Sequence, residues 1–531
     1  MHKLLPALAL SCFSIIAQAQ RAGITDSTFG HSGVVEDIFA PYTGSGAIET
    51  AFKVLPRGDG RFFCLGDTSH GANSAIAMRA YLADGSIDPS FNGGNTKYYT
   101  VDPYTYGLSA AMAPDGKIVI SGFAGYYNSN LLCLRLQADG EIDSSYGTDG
   151  HTLVPPSSGY DLLYGYGVKL QADGKAVIIG NEANISGGTQ DIAVVRLNAD
   201  GSEDMSFNSS GIRTNLFGKS GSNLSDLAVL QSGKIAVVGD YLGTTTSRTI
   251  VTMRLNSDGS TDSTFGVNGM VQQNFGGIFN YGYSIVEQKD KKLIMAAGVK
   301  DAGFNVDLFL LRYNTDGNLD NTWGLAGVVK THFLPGQIRS FLDVSMGSLL
   351  VGSRYSNSGV TGMLYVVAHY NNDGTIDNGF GTNGIDTIAV HYNPTVAVSA
   401  PVDMAVDGYS KSVIMLGNGG LSSATTQINL IKVLIGNSLE VPNVPAYIND
   451  LNFYPNPVGA EGHLRFTLDQ ACAPYITLQD VSGRVVQILS TSSLQVGNHE
   501  LSIDMSGLVQ GTYFVNSRIG AESKTMKLIK L

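Results

Sequence analysis

Asp258-Gly259-Ser260-Thr261-Asp262-Ser263-Thr264-Phe265-Gly266-Val267-Asn268-Gly269 decides the fold of this 531-residue chain, because it recurs. Its kernel is an Asp, two residues, an aromatic, then Gly or Asn. Copies start at Asp26, Asp88, Asp143, Asp204, Asp262, Asp320 and Asp377, at intervals of 55 to 62 residues. The aromatics are Phe29, Phe91, Tyr146, Phe207, Phe265, Trp323 and Phe380. After them come Gly30, Asn92, Gly147, Asn208, Gly266, Gly324 and Gly381. Gly and Asn tolerate positive φ best, so a left-handed backbone is expected there. Six copies follow an Asp-Gly pair: Asp84-Gly85, Asp139-Gly140, Asp200-Gly201, Asp258-Gly259, Asp316-Gly317 and Asp373-Gly374. Asp-Gly between apolar runs signals a hairpin.

A second motif runs out of phase with the first. It is a turn followed by an apolar run ending in Gly, as in Asp115-Gly116-Lys117-Ile118-Val119-Ile120-Ser121-Gly122. The closing glycines are Gly66, Gly122, Gly180, Gly239, Gly298, Gly352 and Gly417. Each period therefore holds four short strands, A to D. Strands A and B flank this second turn, strand C precedes the Asp-Gly pair, and strand D follows the aromatic-Gly step. Four-stranded units repeated radially make a β-propeller, and seven repeats fall in its usual range. The last period supplies A, B and C, with C at 427–434, but no D. The N-terminus carries an orphan copy of the motif, 24–33, followed by 34–39. That segment is expected to close the last blade and remove its open edge. The fold predicted is all-β: a seven-bladed β-propeller closed by an N-terminal strand, then a small C-terminal β-sandwich.

The pattern resembles the delta-60 repeat family, a β-propeller group of unknown function, over residues 24–435. The resemblance brings no catalytic residues with it. After Pro442 and Pro445 the repeat stops, and 451–531 reads as about seven short strands. This module resembles the C-terminal sorting domain of type IX secretion. The resemblance rests on Tyr454-Pro455-Asn456-Pro457, Asp480 to Arg484 with Gly483, Gly511-Thr512-Tyr513-Phe514, and the terminal Lys527-Leu528-Ile529-Lys530-Leu531. It implies the type IX secretion machinery and a sortase-like peptidase as partners. It also implies export by way of the periplasm, and release or attachment to surface lipopolysaccharide. The domains expected are a signal peptide at 1–19, the propeller at 20–436, a linker at 437–450 that holds the cut, and the sorting domain at 451–531. The signal is read from Lys3, the apolar stretch 4–16 and the small-x-small end Ala17-Gln18-Ala19.

Composition narrows the function. Charged residues are 15% of the chain, against about 25% in ordinary globular proteins. Net charge is −12, which lacks the basic footprint of a nucleic-acid binder. Hydrophobic content of 43% with 65 glycines speaks for strands and turns, not disorder. No late apolar run has the ~20 residues of a membrane helix. Of the cysteines, Cys12 lies in the signal, and Cys64, Cys133 and Cys472 form no disulfide framework. Cys64 and Cys133 sit in apolar strand runs and are expected in the core.

Repeated residues read as structural. Strand C carries Arg79, Arg135, Arg196, Arg254, Arg312, His369 or Lys432, and in five periods this base precedes the motif Asp by eight residues. A hairpin could pair the two. Asp258 and Asp262 could offer Ca²⁺ ligands, but the Asp ladder of a calcium loop is missing, so turn duty is expected and no cofactor is assigned. Gly218-Lys219-Ser220 lacks the upstream Gly of a P-loop, since residue 213 is Arg. His31, His70, His151, His332 and His391 form no cluster.

What varies is more telling. Antiparallel geometry puts the B–C and D–A loops on one face, and they are rich in Tyr, Asn, Ser and Gly. Candidate ligand-binding residues are Tyr104, Tyr106, Tyr126, Tyr127, Tyr164, Tyr166 and Tyr281, with Tyr160 and Tyr355 in the same class of loops. Variable loops on a rigid scaffold concentrate function, and Tyr offers contact area plus a hydroxyl. The alternative is that these rings simply pack between blades. The function expected is non-enzymatic binding of glycan or protein at the cell surface or outside. A hydrolase or lyase acting on polysaccharide at the propeller axis is the second possibility, and a structural surface protein the third. An axial cluster of acidic or His side chains would favour the enzyme, and a Tyr-lined groove without one the binder.

Overall fold

The computed structural model describes residues 22–531 apart from 40–47, 71–72, 186, 220, 245–246, 303–304, 333–339, 345–348, 357–362, 390–399, 423–424, 436–447, 469–473, 482–484, 491–493, 496 and 520–521. The expected signal segment, most of the linker, Cys12, Cys472, Gly483 and Arg484 lie outside the described residues, as does the side chain of Tyr355.

Each repeat folds as the turn chemistry dictates. In the third, strands Leu162–Leu170, Ala176–Asn184, Thr189–Leu197 and Ile212–Thr214 pair antiparallel in that order. Gly174 and Gly201 sit at φ +81° and +90° in the two turns, a region that penalises any Cβ. Strand B lies between two strands and two neighbouring sheets, so it has no wet face. That is why it reads as a continuous apolar run, with Val177, Ile178 and Ile179 fully buried. The position after the motif aromatic is left-handed in all seven copies, as its Gly/Asn restriction requires, from Asn92 at φ +48° to Gly266 at +56°.

Seven such sheets follow one another. Their A strands are Ile48–Pro56, Thr105–Met112, Leu162–Leu170, Asn223–Val229, Phe279–Glu287, Ser340–Asp343 and Ala400–Asp407. Each A strand packs against the next, and the seventh packs against the first. The apolar cores lie between the sheets. Val177, Ile179 and Val194 of the third sheet meet Leu227, Val237 and Val251 of the fourth. Ile414, Leu416, Ile428 and Leu430 of the seventh meet Val54, Phe62, Cys64 and Tyr81 of the first, so the series returns to its start. Each fully buried Ile, Leu or Val stabilises by about 1.5–3 kcal/mol relative to exposure.

The seventh sheet is completed by the other end of the chain. Ile24 and Thr25 lie opposite Leu434 and Val433, and Val34–Asp37 pairs with Ile428 to Ile431. Ala22 O accepts from Gly381 N of the sixth sheet, the place that an Asp carbonyl of the Asp-Gly turn takes elsewhere. The orphan motif thus supplies the missing outer strand. Beyond it, Asp37 accepts from Arg79 Nη1 at 2.7 Å and from Tyr81 OH at 2.6 Å on the first sheet.

Six A strands shift register at the same place, between Ala51 and Lys53, Gly107 and Ser109, Gly165 and Gly167, Leu224 and Asp226, Gly282 and Ser284, and Pro401 and Asp403. A bulge re-aims the side chain that follows it. Three of these side chains then accept the amide of the next A strand. Ser109 Oγ accepts from Val168 N, Asp226 Oδ2 from Ile285 N and Asp403 Oδ2 from Val54 N.

The C-terminal residues form a three-stranded and a four-stranded sheet around one shared core that includes Leu464, Phe466, Ile476, Leu478 and Val515. The described residues contain no α-helix.

Candidate functional site

The repeated charges assemble as one shared ionic unit in each of the second to fifth sheets. Arg254 Nε and Lys234 Nζ donate to Asp262 Oδ2 at 2.5 and 2.7 Å, while Thr264 caps Oδ1. The Arg254 guanidinium lies 4.6 Å from the centre of the Phe265 ring. The eight-residue spacing therefore places base and acid side by side across the hairpin. The lysine of the second motif joins them, an arrangement that reading each motif alone does not reveal. The same set recurs around Asp143, Asp204 and Asp320. Burial alone would raise these carboxyls, but their hydroxyl, Lys and Arg donors hold them well below the usual carboxylate range. The motif aromatic lies under the Asp-Gly turn of the next sheet: a Cβ on Gly259 would sit 2.8 Å from the Phe207 ring. Asp258 caps Ser260. These residues are committed to turns and sheet contacts.

In the first sheet the pattern breaks. Arg79 turns to Asp37 of the N-terminal segment, and Asp88 is held by Arg57 and Arg61 instead. Cys64 and Cys133 are fully buried, and burial pushes the Cys133 thiol up to about 12.

All seven A strands line one central channel. Its acidic groups include Asp226 and Asp403. Asp226 accepts from Ser284 Oγ and Ile285 N, and Asp403 from Lys53 Nζ and Val54 N. On the side of the variable loops the channel opens into a cavity of about 660 Å³. Its wall includes Phe52, Asp67, Leu108, Tyr166, Tyr281, Tyr283, Lys300 and Val402. Phe52, Leu108, Tyr166, Ser225, Tyr283 and Val402 line both spaces, which makes the cavity the mouth of the channel.

The sequence-predicted tyrosines divide into three groups. Tyr166 and Tyr281 reach the cavity. Tyr106 and Tyr164 form an aromatic row leading towards it: Tyr106 stacks on Phe123 at 4.9 Å, Phe123 meets Tyr164 at 4.4 Å, and Tyr164 meets Tyr166 at 6.2 Å. Tyr104, Tyr126 and Tyr127 make a separate cluster, with centroids 4.5 and 4.3 Å apart, and Tyr127 is 71% exposed. Tyr281 also stacks between Phe279 and Tyr283. Packing and exposure thus coexist along one row. Tyr283, Phe52 and Asp67 were not singled out in the sequence. Asp67 carried a faint signal: it directly follows Gly66, where other repeats place Phe123, Asn181, Asp240, Val299, Ser353 and Asn418.

In the C-terminal unit the Tyr454-Pro455-Asn456-Pro457 segment lies against the last strand. Asn456 Nδ2 donates to Lys527 O, its Oδ1 accepts from Ile529 N, and Val458 N donates to Ile529 O. Asp480 lies opposite Tyr513, whose hydroxyl donates to Val509 O and whose strand starts at Gly511. The motifs at the two ends of the module thus form one contiguous structure. Among the described residues no helix is long and apolar enough to cross a membrane.

Comparison with known proteins fits this picture. The model of a β-propeller domain of unknown function, DUF5122, matches residues 113–146, 171–207, 230–265 and 288–322. That of a secretion system C-terminal sorting domain matches 452–531. No curated protein matches the sequence. Similar solved structures include a periplasmic gluconolactonase of Pseudomonas aeruginosa, with 12% identity, 72% of this chain and 98% of that one covered, and a TM-score of 0.37. A protein of unknown function from Dyadobacter fermentans gives 10%, 76%, 100% and 0.36. An ulvan lyase, a polysaccharide lyase, gives 12%, 74%, 96% and 0.42. Likenesses this distant carry no functional argument. The sorting domain marks the chain for export to the cell surface or beyond. The chain carries DUF5122 β-propeller repeats followed by a type IX secretion C-terminal sorting domain.

Proposed function

We propose that the seven sheets are the blades of one closed propeller spanning residues 20–436, and that 451–531 is a small sandwich that is cut off within the 437–450 linker by a sortase-like peptidase during export. The propeller is a non-enzymatic binding module for extracellular glycan or protein, and it takes its ligand at the mouth of the central channel. One observation carries this reading: aromatic side chains wall the mouth, while Asp226 and Asp403 below it are occupied by neighbouring strands. Tyr faces suit the C–H faces of sugars and apolar side chains alike, and their hydroxyls add direction. The exposed Tyr104, Tyr126 and Tyr127 cluster extends the contact surface outward.

A second reading, a polysaccharide-cleaving enzyme, draws support from Asp67 in the cavity wall. Glycoside hydrolysis ordinarily needs a second carboxylate facing the first across the scissile bond. The test is to incubate the full exported chain with a panel of polysaccharides and matrix proteins, reading retention and product release from the same samples. Retention without new products, lost at least tenfold in the Tyr166→Ala/Tyr281→Ala double variant, supports the binder. New products that vanish in Asp67→Asn replace it with the enzyme.

A further inference from the structure

We infer that Asp67 orients the ligand in the channel mouth, and that this ligand is an uncharged sugar whose hydroxyl pairs with the free carboxyl oxygen of Asp67. The inference rests on the proposed binding role of that cavity and names its chemistry. Asp67 is 6% exposed and lines the cavity. Its Oδ1 accepts from Gly107 N of the second sheet at 2.7 Å, and Oδ2 has no partner among the described residues. Oδ2 is open to the cavity rather than sealed in the core, so a ligand hydroxyl can reach it.

The repeat provides its own comparison. Asn418 holds the equivalent place after Gly417. Its Oδ1 accepts from Ala51 N and its Nδ2 donates to Ala51 O, at 2.7 and 3.0 Å. Both ends of Asn418 are thus used in joining sheets, whereas Asp67 uses one and keeps the other at the cavity. Burial also lifts the Asp67 carboxyl well above its ordinary range, against the weaker effect of Gly107 N. A protonated carboxyl both donates and accepts, as a sugar hydroxyl does. Of the described side chains on the packed strands, Lys53 is bound to Asp403 and Arg79 to Asp37, and Tyr106 stands on the next sheet. Tyr166, Tyr281, Tyr283 and Lys300 complete the cavity wall. No carboxylate is among them. A ligand that buries the site further binds the protonated form better, so affinity falls as pH rises through the titration of Asp67.

The experiment measures binding of laminarihexaose, cellohexaose, mannohexaose and hexagalacturonate to the full chain between pH 5 and 9. The variants are Asp67→Asn and Asp67→Leu, each checked for folding by thermal unfolding. The Asn418 geometry indicates that Asn fits the site. The expected result is a neutral hexaose whose affinity for the wild type falls, by up to tenfold per pH unit, as pH rises. Asp67→Asn then binds with a flat pH profile, and Asp67→Leu binds about tenfold more weakly throughout. A neutral hexaose bound alike by all three proteins at every pH overturns the role of Asp67 and leaves the cavity reading standing; Asp67 is then a sheet clamp like Asn418. Preference for hexagalacturonate overturns the uncharged ligand. Binding of none of the four sugars overturns this inference, while retention of a matrix protein in the panel above would keep the binding role itself.

Discussion

Replacing Asp262 with Ala tests the ionic unit against a control within the same molecule. Asp262 is buried and satisfies Arg254, Lys234 and the Thr264 cap. Without it, the Arg254 guanidinium, 8% exposed, keeps only the Thr315 carbonyl, Thr264 and the Phe265 face. Removing one partner of a buried pair costs about 3–5 kcal/mol. The same position in the sixth sheet is Asp377, 35% exposed and paired with His369 alone among the described side chains. There the loss should be about 1 kcal/mol. Urea unfolding of the two variants, with hydrogen exchange at the Gly266 and Gly381 amides, reads the difference. The sign with pH follows from the depressed Asp262 carboxyl, whose Lys234, Thr264 and Arg254 donors outweigh its burial. Its stabilisation is fully present above the unfolded pKa near 4 and fades as pH falls through the lower folded value. The gap between wild type and Asp262→Ala should hold above about pH 5 and narrow below about pH 4. Equal losses at the two sites, or a gap unchanged in acid, would refute the argument.

Other expectations follow from the same geometry. Gly233→Ala should cost about 1–2 kcal/mol for its φ of +78° alone, since its new Cβ meets only Ser257 at 3.9 Å. Gly259→Ala should lose at least ~1 kcal/mol more against the buried Phe207 ring, measured by denaturant midpoints. Asp37→Ala strips Arg79 and Tyr81 of their shared partner, so it should lower amide protection in 425–434 before other strands. Cys64 and Cys133 should resist a thiol reagent in the native protein and react once it unfolds, as site-resolved mass spectrometry would show. Asp67→Asn should raise stability at pH 7 but not near pH 4, because burial disfavours the ionised carboxyl and that cost disappears once the carboxyl is protonated in the unfolded chain as well.

The fold was legible because its demands are local and repeated. A left-handed backbone admits few residues, so Gly30, Asn92 and their counterparts announced it. The Asp-Gly turns then fixed strand order. The ionic unit was half legible: the eight-residue spacing told of Arg254 and Asp262, but Lys234 comes from the other hairpin of the same sheet. The switch of Arg79 to Asp37 depends on the N-terminal segment lying against the first sheet, which no spacing expresses. The site was legible in type rather than place. Tyr166 and Tyr281 wall the cavity as a binding face requires, yet Tyr104 and Tyr126 look the same in sequence and stand in a cluster apart. Asp67 escaped notice because one acidic residue in an apolar strand becomes meaningful only when seven strands meet.

The clasp between Ile24–Asp37 and the strand ending at Leu434 sets a calendar for the chain. Nothing can seal the ring until its last strand exists, so the first strand made is the last to find its place. Loop entropy grows only logarithmically, so the wait adds little to the cost of closure at equilibrium, but such distant pairing is slow. Meanwhile Val34, Val35 and Phe39 travel without cover, and the seventh sheet keeps an open edge. Two chains delayed together have matching halves of the same clasp, and strand exchange between them is the error this architecture invites.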